Sequence, residues 1–231
     1  MKIGIIGAMA EEIQHLKEVM TIEDQQILSH QAFYQGRLGN KDVVLVQSGI
    51  GKVNAAITAT ILIQKYGVDL VLNTGTAGAL DPGLKVGDIV LADSLMHHDV
   101  DVTGFGYEIG QMAGMPARYY PELTYVPQFK AVCRAIDLEP VQGLIVSGDE
   151  FVNRPDRQAW IQSNFPKAKA VEMESAAIAQ TCFNFQVPFM IVRAISDSAD
   201  HQAAISFDEF VQVAGKISAS IVSEFVQSIE S

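Results

Sequence analysis

Val171-Glu172-Met173-Glu174-Ser175-Ala176-Ala177, then an apolar run, then Arg193-Ala194-Ile195-Ser196-Asp197-Ser198-Ala199-Asp200, is the stretch that decides the reading of this chain. Between its ends, Val187-Pro188-Phe189-Met190-Ile191-Val192 is short, apolar and rich in β-formers, which predicts a buried strand. Ser175 to Phe185 is rich in Ala and other helix-compatible residues. The unit reads as strand, helix, strand, with carboxylates at both strand exits. Open α/β sheets bind ligands beyond the carboxyl ends of their strands. That singles out Glu172, Glu174, Arg193 and Asp197.

Working outward, strands and helices keep alternating. Lys2 to Ile6 is an apolar strand, and Ala10 to Met20 follows as an amphipathic helix with Glu11 and Glu12 in its first turn. A carboxylate there is stabilised by the helix dipole, so a simple charge-complemented helix start also accounts for the pair. Ala32 to Leu38 and Asp42 to Gln47 form a hairpin around Gly39-Asn40. Ser48-Gly49-Ile50-Gly51-Lys52 leads into an Ala-rich helix, Val53 to Tyr66. The phosphate-loop motif fails there at Val46 and Val53, and the Gly-x-Gly-x-x-Gly fingerprint is absent after the first strand. A tight strand-to-helix turn explains the glycines.

Asp69 to Thr74 predicts a buried strand ending in Gly75-Thr76-Ala77-Gly78-Ala79-Leu80. Small residues at such an exit either admit a ligand close to the backbone or relieve crowding in a turn. Strands are also predicted over Asp88 to Leu95 and Val141 to Ser147, and helices over Phe129 to Ile136 and Arg157 to Phe165. His97-His98-Asp99-Val100-Asp101 has neither a helical His pair nor Cys/His spacing, so no metal is expected. Thr103 to Pro116, rich in Gly and Met, is too long for an ordinary connection and reads as a functional loop or a subunit contact. Phe151, at a strand exit, either stacks on a planar ligand or belongs to the core. Ser206-Phe207-Asp208-Glu209 is a capping box that would open a terminal helix from Phe207 to about Glu230.

The 231 residues suffice for one α/β domain over 1–231, with helices on both faces of one sheet. A net charge of −11 without a basic run disfavours nucleic acid and anionic membranes as partners. No apolar run reaches membrane-spanning length, and Met1-Lys2-Ile3-Gly4 enters a strand directly, so no signal peptide is expected. Cys133 and Cys182, each inside a predicted helix, read as free buried thiols of a cytoplasmic protein.

Seven motifs in order now carry a resemblance. They are Gly4-Ile5-Ile6-Gly7-Ala8-Met9 with Glu11-Glu12, Ser48-Gly49-Ile50-Gly51-Lys52, Asn73-Thr74-Gly75-Thr76-Ala77-Gly78, Asp99-Val100-Asp101-Val102-Thr103, Gly148-Asp149-Glu150-Phe151-Val152, Val171-Glu172-Met173-Glu174, and Arg193-Ala194-Ile195-Ser196-Asp197. Over its full length the chain resembles the 5′-methylthioadenosine/S-adenosylhomocysteine nucleosidases of the purine nucleoside phosphorylase-like family. The resemblance implies a three-layer α/β/α sandwich around a central twisted mixed sheet, and a homodimer without metal or cofactor. It implies hydrolysis of the bond between adenine and a 5′-substituted ribose in methylthioadenosine, S-adenosylhomocysteine and 5′-deoxyadenosine, a step of methionine salvage.

By position, the resemblance makes Glu12 the base that activates water, helped by Arg193, and Asp197 the donor to adenine N7. Met173 and Glu174 hold the ribose, Phe151 stacks on the base, the Val152 backbone reads its edge, and Thr76 and Ser196 contribute to binding. Met9, Ile50 and Phe207 surround the 5′ arm, joined by Val102 and Phe105 from the other subunit. Thr76 stands where Ser is common and keeps the hydroxyl; Ala10 replaces an acidic residue, and Ala113 a Pro of the interface loop.

The chemistry fits these residue types. Cleaving an N-glycosidic bond passes through an oxocarbenium-like sugar and needs an acid on the base side and a carboxylate on the water side. Glu12 on a helix N-terminus is placed as a base should be, and Asp197, at the exit of a buried strand, as an acid should be. At ~3.3 Å per residue, Arg193 and Asp197 lie about 13 Å apart along an extended strand. Their even spacing puts them on the same side. Phosphate as nucleophile is disfavoured, because a carboxylate at ~4 Å opposes a phosphate dianion by several kcal/mol at the effective dielectric of a partly buried site. A non-catalytic nucleoside-binding protein and a Rossmann-type oxidoreductase are the alternatives. The paired Glu12 and Asp197 oppose the first, and the failed glycine fingerprint opposes the second.

Overall fold

The computed structural model describes residues 1–199 and 203–229, with the side chains of 203–206 left out. Its strands are β1 (Lys2–Gly7), β2 (Thr21–Leu28), β3 (Gln31–Leu38), β4 (Lys41–Gln47), β5 (Leu70–Ala79), β6 (Ile89–His97), β7 (Val141–Ser147), β8 (Ala168–Glu172) and β9 (Phe189–Asp197). Its helices are α1 (Ala10–Val19), α2 (Lys52–Gln64), α3 (Val126–Arg134), α4 (Pro155–Asn164), α5 (Ser175–Phe185) and α6 (Ala203–Ser228).

Strand order is β2-β3-β4-β1-β5-β8-β7-β6-β9, and β9 returns to pair in parallel with β5. The sheet is mixed: β1 runs parallel to β4 and β5, whereas β5 is antiparallel to β8 and β6 to β9. Buried parallel strands are apolar on both faces, and β1 obeys this. Ile6 packs with Val44, Val71 and Leu62 on the side of α2 and α5. Ile3 and Ile5 face Leu16, Phe129 and Phe225 on the side of α1, α3 and α6. The three-layer α/β/α arrangement expected from the sequence is present. At one end the expected open sheet is replaced by a ring of β5, β8, β7, β6 and β9.

Several elements differ from expectation. β2 was not foreseen: its residues are largely exposed, and it is held as an edge strand by antiparallel pairing to β3. β5 runs on to Ala79, so the small residues lie inside a strand, and β9 runs on to Asp197. Helix α6 starts at Ala203, which puts Ser206 inside the helix instead of at its N-cap; the Ser206 side chain and Asp200 lie outside the described residues. The Gly39-Asn40 hairpin stands, with Leu38 opposite Lys41. Gly49 and Gly51, at φ of 81° and 96°, make the tight entry to α2. Thr103 to Pro116 is irregular apart from one 3-10 turn at Thr103–Phe105. Cys133 and Cys182 are free and buried in α3 and α5.

Candidate active site

The C-terminal ends of β1, β4, β5, β7, β8 and β9 converge on a cavity of about 320 Å³. Ala8, Met9 and Glu12 line it from the β1–α1 turn, Ile50 from the entry to α2, and Thr76, Ala77 and Gly78 from β5. Phe151, the segment Val171 to Glu174, Ser196, Asp197 and Phe207 complete the wall. A recess of about 30 Å³ continues it, adding Glu150 and Val152. A groove of about 300 Å³ between α1 and α6 is lined by Glu11, His15, Gln212 and Lys216, a solvated polar surface without convergent buried groups.

Glu12 occupies the third position of α1 and is 2% exposed. Its Oε2 accepts the backbone N–H groups of Ala8 at 2.7 Å and Met9 at 3.1 Å, the reach-back half of a capping box. Its Oε1 accepts the Thr76 N–H at 2.9 Å and the Thr76 hydroxyl at 3.1 Å. The helix-start reading and the functional reading therefore describe the same geometry. The cap fixes a buried carboxylate at the cavity wall.

Asp197 sits across the cavity, 3% exposed, at the end of β9. Its Oδ1 accepts the Ala199 N–H and its Oδ2 the Ser196 hydroxyl, both at 2.8 Å. The β5–β9 register slips here: Ile195 pairs with Ala77 but Asp197 with Gly78, leaving Ser196 as an extra residue. That bulge breaks the even-spacing argument. Arg193 and Asp197 do not share a regular strand face; Asp197 lines the cavity and Arg193 lies beneath its wall.

Arg193 is fully buried. Its Nη2 donates to Glu172 Oε2 at 2.5 Å, Asn73 Oδ1 at 2.7 Å and Ser175 Oγ at 2.9 Å. Burial acts to lower the guanidinium pKa, but the charges of Glu172, Glu174 and Glu12 outweigh it and raise it further. For Glu172, burial acts to raise the pKa; the Arg193 charge and hydrogen bonds from Ser147 and Ser175 overcome it and hold the carboxyl below its usual range. Glu174 goes the other way, pushed up to about 8 by burial and then by the Glu172 charge. Arg193 and the Gly51 N–H, which donates to Glu174 Oε1 at 2.9 Å, only partly offset this. Gly51 is held in place next door, where the Lys52 N–H meets Asp149 Oδ1 at 2.7 Å and Lys52 Nζ meets Asp99 Oδ1 at 2.6 Å.

The glycines of β5 are now accounted for. A Cβ at Gly75 would overlap Arg193 Nη1 and lie 2.7 Å from Glu12 Oε1. At Gly78 it would lie 2.7 Å from Asp197 Oδ1. Met9, Ile50, Thr76, Phe151, Met173, Glu174, Ser196 and Phe207 all line the main cavity, and Val152 the recess. Phe151 meets Phe207 edge-on at 5.6 Å between ring centroids. Val102 and Phe105 do not line the cavity of their own chain, and Phe105 is 85% exposed. The His97-His98 pair turns inward: His97 Nε2 is 2.9 Å from Gln180 Oε1, and His98 Nδ1 is 3.0 Å from Arg157 Nη2.

The sequence singles out Glu172 together with Glu174, but the resemblance gives a role to Glu174 alone, and residues two apart share no helix face. Glu172 is the last residue of a strand, so that rule does not apply to it. Asn73, Ser147 and Ser175, which complete its network with Arg193, were also missed as a group. The usable signal was a cluster of polar residues at the ends of three apolar strands.

Comparison with known proteins gives the family. A family model described as "Phosphorylase superfamily" matches residues 2–227. A 5′-methylthioadenosine/S-adenosylhomocysteine nucleosidase of Exiguobacterium sp. is 49% identical over 231 residues, covering 100% of this chain and 99% of that protein. The structure of the nucleosidase of that name from Neisseria meningitidis, in complex with methylthio-immucillin-A, superposes with a TM-score of 0.96 at 47% identity, covering 99% of both chains. An S-adenosylhomocysteine nucleosidase from Streptococcus pyogenes, in complex with 5-methylthiotubericidin, gives 0.97 at 43% identity, covering 100% of this chain and 98% of that one. The chain thus belongs to the 5′-methylthioadenosine/S-adenosylhomocysteine nucleosidases, N-glycosyl hydrolases of the phosphorylase superfamily.

Proposed function

We infer that this chain hydrolyses the N-glycosidic bond of 5′-methylthioadenosine and S-adenosylhomocysteine, releasing adenine and the 5′-substituted ribose. The carrying observation is the facing of two buried carboxylates, Glu12 and Asp197, across one largely apolar cavity. Glu12 takes a proton from the attacking water as its oxygen bonds to C1′. The C1′–N9 bond breaks with its electrons flowing into adenine, and Asp197 delivers a proton to N7. Glu174 with Met173 holds the ribose hydroxyls, and the buried carboxylates stabilise positive charge developing on the sugar. Phe151 stacks on the base, the Val152 backbone reads its edge, and Ser196 supports Asp197. Thr76 holds Glu12. Arg193 acts from beneath, as the counter-charge to the glutamates.

Water is the nucleophile on this reading. Among the described residues, Lys and Arg are absent from the cavity wall, and the nearest guanidinium is already paired with Glu172. A phosphate dianion needs several cationic donors. The exposed Phe105 and the half-buried Val102 fit contribution to the 5′ end of a partner's cavity beside Met9, Ile50 and Phe207, in a cytoplasmic homodimer. One nucleosidase domain spans the chain, and 5′-deoxyadenosine, with an apolar 5′ end, is a third substrate.

The test is incubation of the protein with each of the three nucleosides without phosphate or nicotinamide, following free adenine by chromatography. Adenine is expected from all three, with turnover unchanged by millimolar phosphate. Absence of adenine, or its release only with phosphate, overturns the reading. Light scattering should give twice 25.1 kDa; a mass near one chain removes the dimer.

A further inference from the structure

Glu172 accepts six hydrogen bonds at the cavity wall, and the hydrolysis above gives it no task of its own beyond pairing with Arg193. Its Oε2 accepts Arg193 Nη2 at 2.5 Å, the Ser175 hydroxyl at 2.8 Å, the Ser175 N–H at 2.9 Å and the Glu174 N–H at 3.1 Å. Its Oε1 takes the Ser147 hydroxyl and the Ser175 N–H. Ser147 in turn accepts the Ala176 N–H at 2.8 Å. Part of this is the ordinary anchoring of an anion at the start of α5. The remainder concerns Arg193. Its Nη2 is held by Glu172, Asn73 and Ser175, while Nε and Nη1 are buried with no hydrogen-bond partner among the described residues, and Nη1 lies over Gly75 beside Glu12. Glu174 Oε2 is only 3.7 Å from the same Nη2.

We propose that Glu172 is a positioning residue for the hydrolysis: it holds the Arg193 guanidinium against Asn73 and Ser175, so that Glu174 stays its more distant partner at 3.7 Å and is left to the ribose. Two carboxylates compete for one buried cation, and the one with more hydrogen-bond donors takes it. The charged groups facing Glu174 are Glu172 from β8, Arg193 from β9 and Glu12 from α1, together with the Gly51 N–H before α2. Those facing Glu172 are Arg193, Glu174 and, from the end of β6, the buried neutral His97 and His98. Burial and then the Glu172 charge set Glu174 high, at about 8. The acid limb of kcat/KM against pH should therefore report Glu174 ionising in the free enzyme.

The test is Glu172→Gln, which keeps the side-chain shape and lets the Ser147 hydroxyl rotate to accept the new amide. With the Glu172 charge gone, Arg193 turns to Glu174. The acid limb should move at least one pH unit lower, and KM should rise at least tenfold. Ser147→Ala, which removes one anchor of Glu172, should move the limb the same way by less, and it reads the effect should Glu172→Gln fail to fold. A limb that stays in place in these variants overturns the inference, and so does a limb that moves with KM unchanged: loss of the Glu172 charge alone lowers the limb, whereas only the turning of Arg193 to Glu174 also takes the ribose partner away and raises KM. The inference rests on Glu174 holding the ribose. A wild type that releases no adenine defeats that reading, whereas an active wild type with unmoved variant limbs defeats only the role of Glu172.

Discussion

Glu12 Oε1 accepts both the backbone N–H and the hydroxyl of Thr76, at 2.9 and 3.1 Å, tying the first turn of α1 to the middle of β5 across 64 positions of sequence. The other oxygen takes two N–H groups of the β1–α1 turn. All four donors point at a carboxylate, so an amide in its place must turn its NH2 toward one pair of them. Glu12→Gln should lower kcat about a hundred- to ten-thousand-fold, the range for loss of a general base. It should also cost about 1–3 kcal/mol of stability through donors left facing a donor. Adenine release and denaturant unfolding of the same variant check both halves.

Gly75 offers a steric test. A methyl group there would overlap Arg193 Nη1 and crowd Glu12 Oε1, and both side chains are held by further hydrogen bonds. Gly75→Ala should cost ~1–3 kcal/mol through overpacking and reduce kcat at least tenfold with KM nearly unchanged. Thermal melting and steady-state kinetics decide it; a variant with wild-type kcat would show that Arg193 and Glu12 can separate freely.

Glu174 couples pH to stability. Its carboxyl is raised from 4.5 to about 8 in the folded chain, first by burial. The unfolded chain releases this proton earlier, so the contribution is intact below about 4.5, falls as pH rises, and is fully lost above about 8. Glu174→Gln removes that loss and keeps an acceptor for the Gly51 N–H. Its melting temperature relative to wild type should be higher at pH 9 than at pH 5, while kcat/KM drops. Melting curves at the two pH values check the sign.

Phe151 faces the cavity and rests edge-on against Phe207. Stacking a base on an aromatic ring contributes roughly 1–3 kcal/mol. Phe151→Ala should therefore lower kcat/KM tenfold to hundredfold, and Phe151→Tyr should largely retain it. Equal loss in both would mean that Phe151 holds Phe207 rather than the base.

The sequence made the layers legible because β1, β4, β5 and β9 are apolar enough to show their burial locally. It hid β2, whose Glu23, Asp24, Gln25 and Gln26 carry no apolar alternation and whose place depends on backbone pairing with β3. The chemistry-bearing residues were legible as motifs. Their relative directions were not, because the bulge at Ser196 and the return of β9 to β5 are non-local events. Glu172 shows the same limit from the other side. Its importance lies in partners from β7, α5 and β9, with Asn73 of β5 joined through Ser175 and Arg193, that no local window contains.

The ring of β5, β8, β7, β6 and β9 leaves the end of the sheet beneath the cavity without a free strand edge, while β2 at the opposite end keeps one. Amide hydrogens should therefore exchange with solvent first along β2 and last along β5 and β9, each of which is paired on both sides. The floor of the site then opens only when the whole molecule unfolds. Cycles of binding and release have to be served by α6, whose Phe207 borders the cavity, and by the turns around it.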